Sequence, residues 1–316
     1  MKKVLILFGK SDWQKKSPFE KESHRLAYEY FYSLCKNNGI QMYRASYEWY
    51  DYKKNIFDRA WTYTSKNESW KKVRRVKPDL IYDKTPAKAE IYHKKELISK
   101  NYLFINDLEF TQTVRNKFII SLLFEKWSKK NWLVRNKREL GGVLPHITSS
   151  KVVLKPLNEC GGKYIQILDK KEILKNVVLD RLYLVQEFID SSHGIPGINK
   201  TLHDLRVILV NKKIIYSYIR EPKEGNYLAN LAQGGSLKIL PLNKLPRSIF
   251  PIIESANQVF ETFNPRIFAI DFMFDQDKKP WVVELNAMPG LYPAPGEQHH
   301  INRLYREMIR VFHITN

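Results

Sequence analysis

The chain has 316 residues, 43% of them hydrophobic and 13% aromatic, and carries a formal charge of +20. That length and apolar content belong to a packed protein of two or three lobes and exclude a disordered composition. No apolar run reaches the roughly 20 residues that span a bilayer. A field of this sign attracts nucleotides, acidic peptides, nucleic acid or anionic surfaces, unless the lysines merely solvate the faces that carry them. Neither zinc-finger spacing nor an RNA-binding aromatic signature is present. Cys35 and Cys160 make no disulfide framework, so a reducing cytosol is the expected compartment.

In chain order, Val4 to Phe8 reads as a buried strand rather than a signal peptide, and Glu20 to Cys35 as a helix ending near Asn38-Gly39. Asp79 to Tyr82 and Tyr102 to Ile105 are further short apolar runs, and this βα alternation predicts a small parallel-sheet domain. Helical patterning from Val114 to Trp127 leads into a basic connector. Strands follow at Lys151–Lys155, Tyr164–Leu168 and Leu182–Phe188, then at Leu205–Val210 and Ile214–Ile219. A helix near Ile249–Phe263, an acidic hairpin and a last helix from about Glu297 to Phe312 complete the chain. The expected division is 1–112, 113–190 and 191–316.

Several segments suit a nucleotide. Lys155 precedes Asn158-Glu159-Cys160-Gly161-Gly162-Lys163, where paired glycines would let backbone N–H groups approach phosphate, or would simply make a tight turn. This is not a Walker loop. Gln186-Glu187-Phe188-Ile189 ends an apolar strand whose backbone could meet an adenine edge. Asp204 and Arg206 share one strand face and Arg220 ends the next strand: an arrangement for an anionic ligand, or a plain Asp–Arg ladder. Asn230 to Gly235 adds an amide and another glycine pair before a strand.

The acidic hairpin is the most telling stretch. With its turn centred between Asp277 and Lys278, Asp271 falls opposite Glu284 and Asn286 lies two residues on, on the same face. Ile270, Phe272, Phe274, Trp281, Val283, Leu285 and Ala287 would then point into a core. Opposed carboxylates repel unless a cation lies between them, and hard oxygens in this arrangement suit Mg²⁺. Ordinary solvated polar residues would give the same alternation.

Taken in order, these pieces resemble the ATP-grasp superfamily of carboxylate–amine ligases, closest to the glutathione-synthase and ribosomal-protein glutamate ligase branch. The marks are Asp204-x-Arg206, Arg220, Asn230-x-x-x-Gly-Gly and Asp271…Glu284-x-Asn286-x-x-Pro289-Gly290. The likeness runs from about Asn116 to Gly290. It implies an α/β protein of α+β lobes with the ATP-grasp fold, preceded by a parallel-sheet domain. By resemblance Lys117 and Lys155 reach the ATP phosphates, with Gly161, Gly162 and Asp204 also on the nucleotide. Glu187 and Ile189, with Gln186 and Phe188 beside them, read adenine. Asp271, Glu284 and Asn286 hold Mg²⁺, with Mn²⁺ as an alternative. Arg220, Asn230 and Arg206 serve the chemistry. Two departures stand out: Tyr164 replaces a glycine frequent in the family's flexible loop, and Leu228-Ala229-Asn230 stands where close relatives carry Arg-Ser-Asn.

The resemblance implies ATP-dependent amide formation through an acyl phosphate; the cytoplasmic location is expected from the cysteine usage alone. Its partners are a carboxylate and an amine, amino acid or peptide, with an acidic substrate suggested by the charge. The family often forms homo-oligomers, and neither a membrane nor a nucleic acid is expected as partner. The competing reading is a non-catalytic ATP-binding interaction module, such as a spore-coat protein.

Overall fold

The computed structural model describes residues 1–9, 12–64, 68–86, 88–157, 162–229, 234–293 and 297–314. Its first part holds β1 (Lys2–Phe8), α1 (Glu22–Asn37), β2 (Ile40–Ser46), β3 (Tyr50–Asp51), β4 (Ile56–Thr64), β5 (Ser69–Val76), β6 (Leu80–Asp83), α2 (Ala89–Ser99) and β7 (Leu103–Ile105). These strands form a seven-stranded sheet in the order β3-β4-β2-β1-β6-β7, with β5 on the side of β4. The β2-β1-β6-β7 half is parallel, as the βα pattern predicts, but β3, β4 and β5 extend it antiparallel. That extension escapes a reading by apolar pattern because Val76 is the sole buried residue of β5.

α3 (Leu108–Arg115) and α4 (Lys117–Leu123) replace the single helix expected over Val114 to Trp127. Asn116 leaves the helical conformation between them, and its side chain accepts from the Phe118 and Ile119 N–H groups to start the second helix. The basic connector then contains β8 (Asn131–Val134), which joins β9 (Lys151–Pro156), β10 (Gln166–Asp169) and β11 (Tyr183–Glu187) in a four-stranded antiparallel sheet ordered β10-β9-β11-β8. Two short helices, α5 (Lys137–Val143) and α6 (Ile173–Asn176), cover it over a core of its own that includes Val134, Leu140, Val152, Leu154 and Val185.

The last sheet is ordered β14-β13-β12-β15-β16, from β12 (Asp204–Val210), β13 (Lys213–Glu221), β14 (Ser236–Leu240), β15 (Ile267–Phe274) and β16 (Pro280–Asn286). α7 (Phe250–Val259) packs on one face with α3 and α4. α8 (Gln298–Ile314) presents Ile301, Leu304, Tyr305, Met308, Ile309 and Phe312 as one helical stripe to the other. That second core also takes Val4 and Ile6 of β1 and Tyr28, Phe31 and Tyr32 of α1, so the first and last sheets share it. Among the described residues no helix is long and apolar enough to cross a membrane.

The hairpin places Asp271 opposite Glu284, as its spacing predicts, by a different route. Phe272 faces Val282, so the turn centres on Asp277, and a bulge between Asp271 and Phe272 restores the upstream register. The bulge inverts part of β16. Pro280 and Val282 are buried, whereas Trp281 and Val283, expected in the core, are only half-buried. Trp281 instead donates its indole N–H to Asp275 at 2.7 Å.

One buried side chain ties the first sheet to the last. Asn106, just past β7, donates to the Ile267 and Ala287 carbonyls at 2.7 and 2.6 Å and accepts from the Ile267 N–H at 2.6 Å. Asn106→Ala would orphan three buried backbone groups, so a loss of about 3 kcal/mol is expected in urea unfolding.

Candidate active site

A cleft opens between the four-stranded and five-stranded sheets, walled by Val153, Ile165, Ile167, Met273 and Val283, with Phe188 and Tyr227 meeting edge to face at 5.4 Å. Flat apolar walls with a few polar groups are what an aromatic base needs. Lys155, Gln186, Asp204 and Glu284 supply those groups. Lys155 donates to Gln186 Oε1 at 2.8 Å. Burial lowers its pKa to about 8, Glu284 opposes that fall, and Lys117 on α4 adds to it. Gly162 lies on the cleft wall with φ of 75°.

At the end of β11 the Glu187 carboxylate accepts from the Thr148 N–H and hydroxyl, both at 2.9 Å. The Phe188 N–H is taken by Ser149 Oγ, whereas the Ile189 N–H meets no acceptor among the described residues.

Beneath the cleft lies a buried lattice of four charges. Arg206 grips Asp271 through Nε and Nη2, and Arg220 Nη2 bridges Asp204 at 2.5 Å and Asp271 at 2.9 Å. The register dictates these contacts: Asp204 is opposite Arg220, and Arg206 is opposite Asp271, across three adjacent strands. Burial would raise Asp271, but the two guanidiniums outweigh it and hold the carboxyl below its ordinary value. Asp204, where burial prevails over Arg220, is raised to about 6. Two atoms of the lattice, Asp204 Oδ1 and Arg220 Nε, are buried without a hydrogen-bond partner among the described residues. Such orphans in a cleft wall mark where a ligand would bond.

A second cavity lies on the far side of the lattice, between the first and last sheets. Arg206, Asn286, Met288, Gly290 and Tyr292 line it from one side; Phe8, Asp12, His24, Tyr28, Arg44 and Lys84 line it from the other. Lys84 crosses the gap to donate to the Met288 and Pro289 carbonyls at 3.2 and 2.7 Å. His24 stacks on Tyr292 with ring centroids 3.8 Å apart.

The expected residues therefore divide between two chambers that share one wall. Lys155, Gly162, Gln186, Glu187, Phe188, Ile189, Asp204 and Glu284 line the cleft, and Arg206 and Asn286 line the second cavity, with Asp271 between. Lys117 begins α4 near Lys155. Asn230 and Gly161 lie outside the described residues. Sequence reasoning missed Met273 and Val283. Met273 could have been found by alternation from Asp271, but Val283 reaches the cleft only through the bulge. It also missed the cavity wall from the first sheet, which Lys84 at the end of an apolar strand could have signalled.

A divalent cation such as Mg²⁺ needs hard oxygen donors. Among the described residues no group of three His, Cys, Asp or Glu could hold one, so the protein offers two carboxylates and an amide. Asp271 Oδ1 accepts a single bond and Asn286 Oδ1 one bond from the Met288 N–H, so each keeps a lone pair. Glu284 keeps a half-exposed carboxylate 3.8 Å from Arg206. This set fits a Mg²⁺ that takes its other ligands from phosphate and water.

Stability and ligation separate cleanly here. Arg206→Ala would leave Asp271 buried beside Arg220 alone, at an expected cost of about 3 kcal/mol in denaturant unfolding. Glu284→Gln, half-exposed, should change the same measurement by about 0.5 kcal/mol or less.

Known families and solved structures resemble this chain. The model of the RimK-like ATP-grasp domain matches residues 118–309. A probable alpha-L-glutamate ligase of Trichodesmium erythraeum is 26% identical over 159 residues, 49% of this chain and 48% of the relative. A probable alpha-L-glutamate ligase of Cellvibrio japonicus is 26% identical over 150 residues, 46% of this chain and 45% of the relative. The chain thus spans about half the length of the curated relatives it matches. Among solved structures, D-alanyl-alanine synthetase A of Vibrio cholerae superposes with a TM-score of 0.67 at 12% identity, covering 99% of this chain and 98% of that one. The RimK domain protein ATP-grasp of Sphaerobacter thermophilus does so with 0.60 at 11% identity, covering 98% and 99%. These structural likenesses concern the fold, whereas the family model covers most of the chain: the protein belongs to the RimK-like ATP-grasp family.

Proposed function

We propose that this chain is an ATP-dependent carboxylate–amine ligase that forms an amide bond through an acyl phosphate. The observation that carries the reading is the shared wall. One charge lattice separates an apolar-walled cleft with a buried lysine from a second cavity rich in cations. In this reading ATP occupies the cleft, with the base between Val153, Ile167 and Met273 and the Ile189 N–H at its edge. Lys155 and Lys117 orient the phosphates. Asp271, Glu284 and Asn286 would hold Mg²⁺, which when bound neutralises phosphate charge.

The second cavity receives the carboxylate and the amine. A carboxylate oxygen attacks the γ-phosphorus, the bond to the ADP oxygen breaks, and the amine then attacks the activated carbonyl. Phosphate leaves, and the nitrogen gives up a proton. Arg206 and Arg220 sit at the wall where charge accumulates in both steps, so their task is positioning and electrostatic stabilisation. The lining sets Lys15, Lys21, Arg44, Lys84 and Arg206 against Asp12 and Glu20, and that positive balance suits an acidic amino acid or peptide. We extend the proposal to the division of labour: residues 1–112 shape the acceptor side, 113–190 cover the nucleotide, and 191–316 carry the chemistry. The names of the curated relatives, probable alpha-L-glutamate ligases, favour the same reaction class.

The decisive assay is ADP formation, followed by mass spectrometry, over a panel of carboxylates and amines. A product equal in mass to both substrates less water is expected, and Glu284→Gln should lower turnover at least about a hundredfold. ATP binding without ADP formation over the whole panel would instead favour the interaction-module reading.

A pH profile gives an independent check on Lys155. Its ammonium is present near neutral pH and is lost as pH rises through about 8. An anion binds the charged form, so ATP affinity by calorimetry without metal should weaken above that value. Lys155→Arg, which stays charged, should flatten the profile.

A further inference from the structure

We propose that the face of the β4–β5 hairpin around Trp13 is a docking surface for an acidic segment of a polypeptide substrate. The proposal deepens the ligase reading and rests on it for the word substrate. β5 pairs only with β4 and ends the sheet. On this hairpin Arg59 stands directly opposite Arg74, and Lys72 opposite Trp61. Like charges facing each other across a strand pair are unfavourable, and among the described residues none of Arg59, Lys72 or Arg74 has a carboxylate within salt-bridge distance. All three instead gather over the Trp13 ring, at 5.8, 5.3 and 5.8 Å from its centroid. An acidic chain would supply the missing counter-charge.

The patch is coupled to the second cavity. Trp61, which Lys72 also overlies at 5.1 Å, donates its indole N–H to Asp12 Oδ1 at 3.0 Å. The other oxygen of Asp12 accepts from Arg44 at 3.2 Å, and Asp12 and Arg44 both line the cavity. One carboxylate therefore connects the patch to the side of the cavity that faces the shared wall. A segment docked on the hairpin would thus border the cavity that is to receive its carboxylate.

Other occupants fit less well. A second copy pairing along β5 would bring two basic edges together. A nucleic acid would want a free aromatic face for its bases, but Trp13 is packed edge to face against Trp49 at 5.5 Å and against Trp61 at 5.9 Å, and it is half-buried.

The test uses the full chain without nucleotide and a labelled poly-L-glutamate peptide, followed by fluorescence anisotropy at rising salt. Salt-sensitive binding is expected, weakened roughly fivefold to tenfold in Arg59→Glu/Lys72→Glu. Lys71→Glu/Lys77→Glu makes the same change of charge but leaves Arg59 and Lys72 in place; it alters a neighbouring depression, which also includes Lys3, Lys36 and Arg74, and should hold affinity within about twofold of wild type. Equal losses in the two variants, no loss in the first, or tighter binding of poly-uridylate through Arg59 and Lys72 would each overturn the proposal. If thermal melting shows the first variant destabilised, Arg59→Ser/Lys72→Ser replaces it under the same criteria. ADP formation with free amino acids, read on the same variants, should stay at the wild-type rate. Its absence in the wild type with peptide binding intact would refute the ligase reading and leave the surface standing.

Discussion

Two carboxylates and two guanidiniums buried in one lattice are the constraint around which the rest of this molecule is arranged. Removing such groups from water costs several kcal/mol per ion, and only near-ideal mutual geometry offsets that cost. Asp271 is 1% exposed, and Asp204, Arg206 and Arg220 are at most 8% exposed. Their geometry therefore depends on β13, β12 and β15 lying side by side in one register. A one-residue slip of any of these strands would send its charged residue to the apolar face and a core residue to the site. The apolar partners in β12, Leu205, Val207 and Leu209, enforce that register from the opposite face, where α7 packs.

The lattice also explains why the lobes must be held together. Each chamber needs walls from elsewhere: the cleft takes its other side from β9 and β11, and the second cavity takes its own from β1, α1 and β6. The four-stranded sheet has a core of its own, while the first and last sheets share theirs. Asn106 and Lys84 reinforce the shared side, and both bond to carbonyls in or next to the acidic hairpin strands. The second cavity is thus built into a continuous core, and the cleft lies between two separate ones.

How far the sequence could be read follows from the same physics. The strands of the last sheet and the pairing of Asp271 with Glu284 were legible because alternation and turn residues are local signals. The bulge was not, since nothing in Trp281-Val282-Val283 says which residue will be doubled against β15. β5 was hidden by its own charge, as an edge strand needs few apolar residues. The second cavity was invisible for another reason: its walls come from positions as far apart as Phe8 and Tyr292, and only tertiary packing brings them together. Tyr164 is an intermediate case. The departure from glycine was noticed in the sequence; its consequence, a φ of 59° in a non-glycine residue with Arg181 4.2 Å over the ring, needed the structure.

The distribution of charge sharpens the functional argument. Around the shared wall, Lys117, Lys155, Arg206 and Arg220 meet Asp204, Asp271 and Glu284, so all but one of the positive charges there are balanced. Little of the formal +20 therefore lies at this wall. It lies largely on surfaces such as β5, where Lys71, Lys72, Arg74 and Arg75 are all exposed. Exposed like charges add little to folding and repel one another, so their concentration on one sheet edge is better accounted for by an anionic partner than by stability.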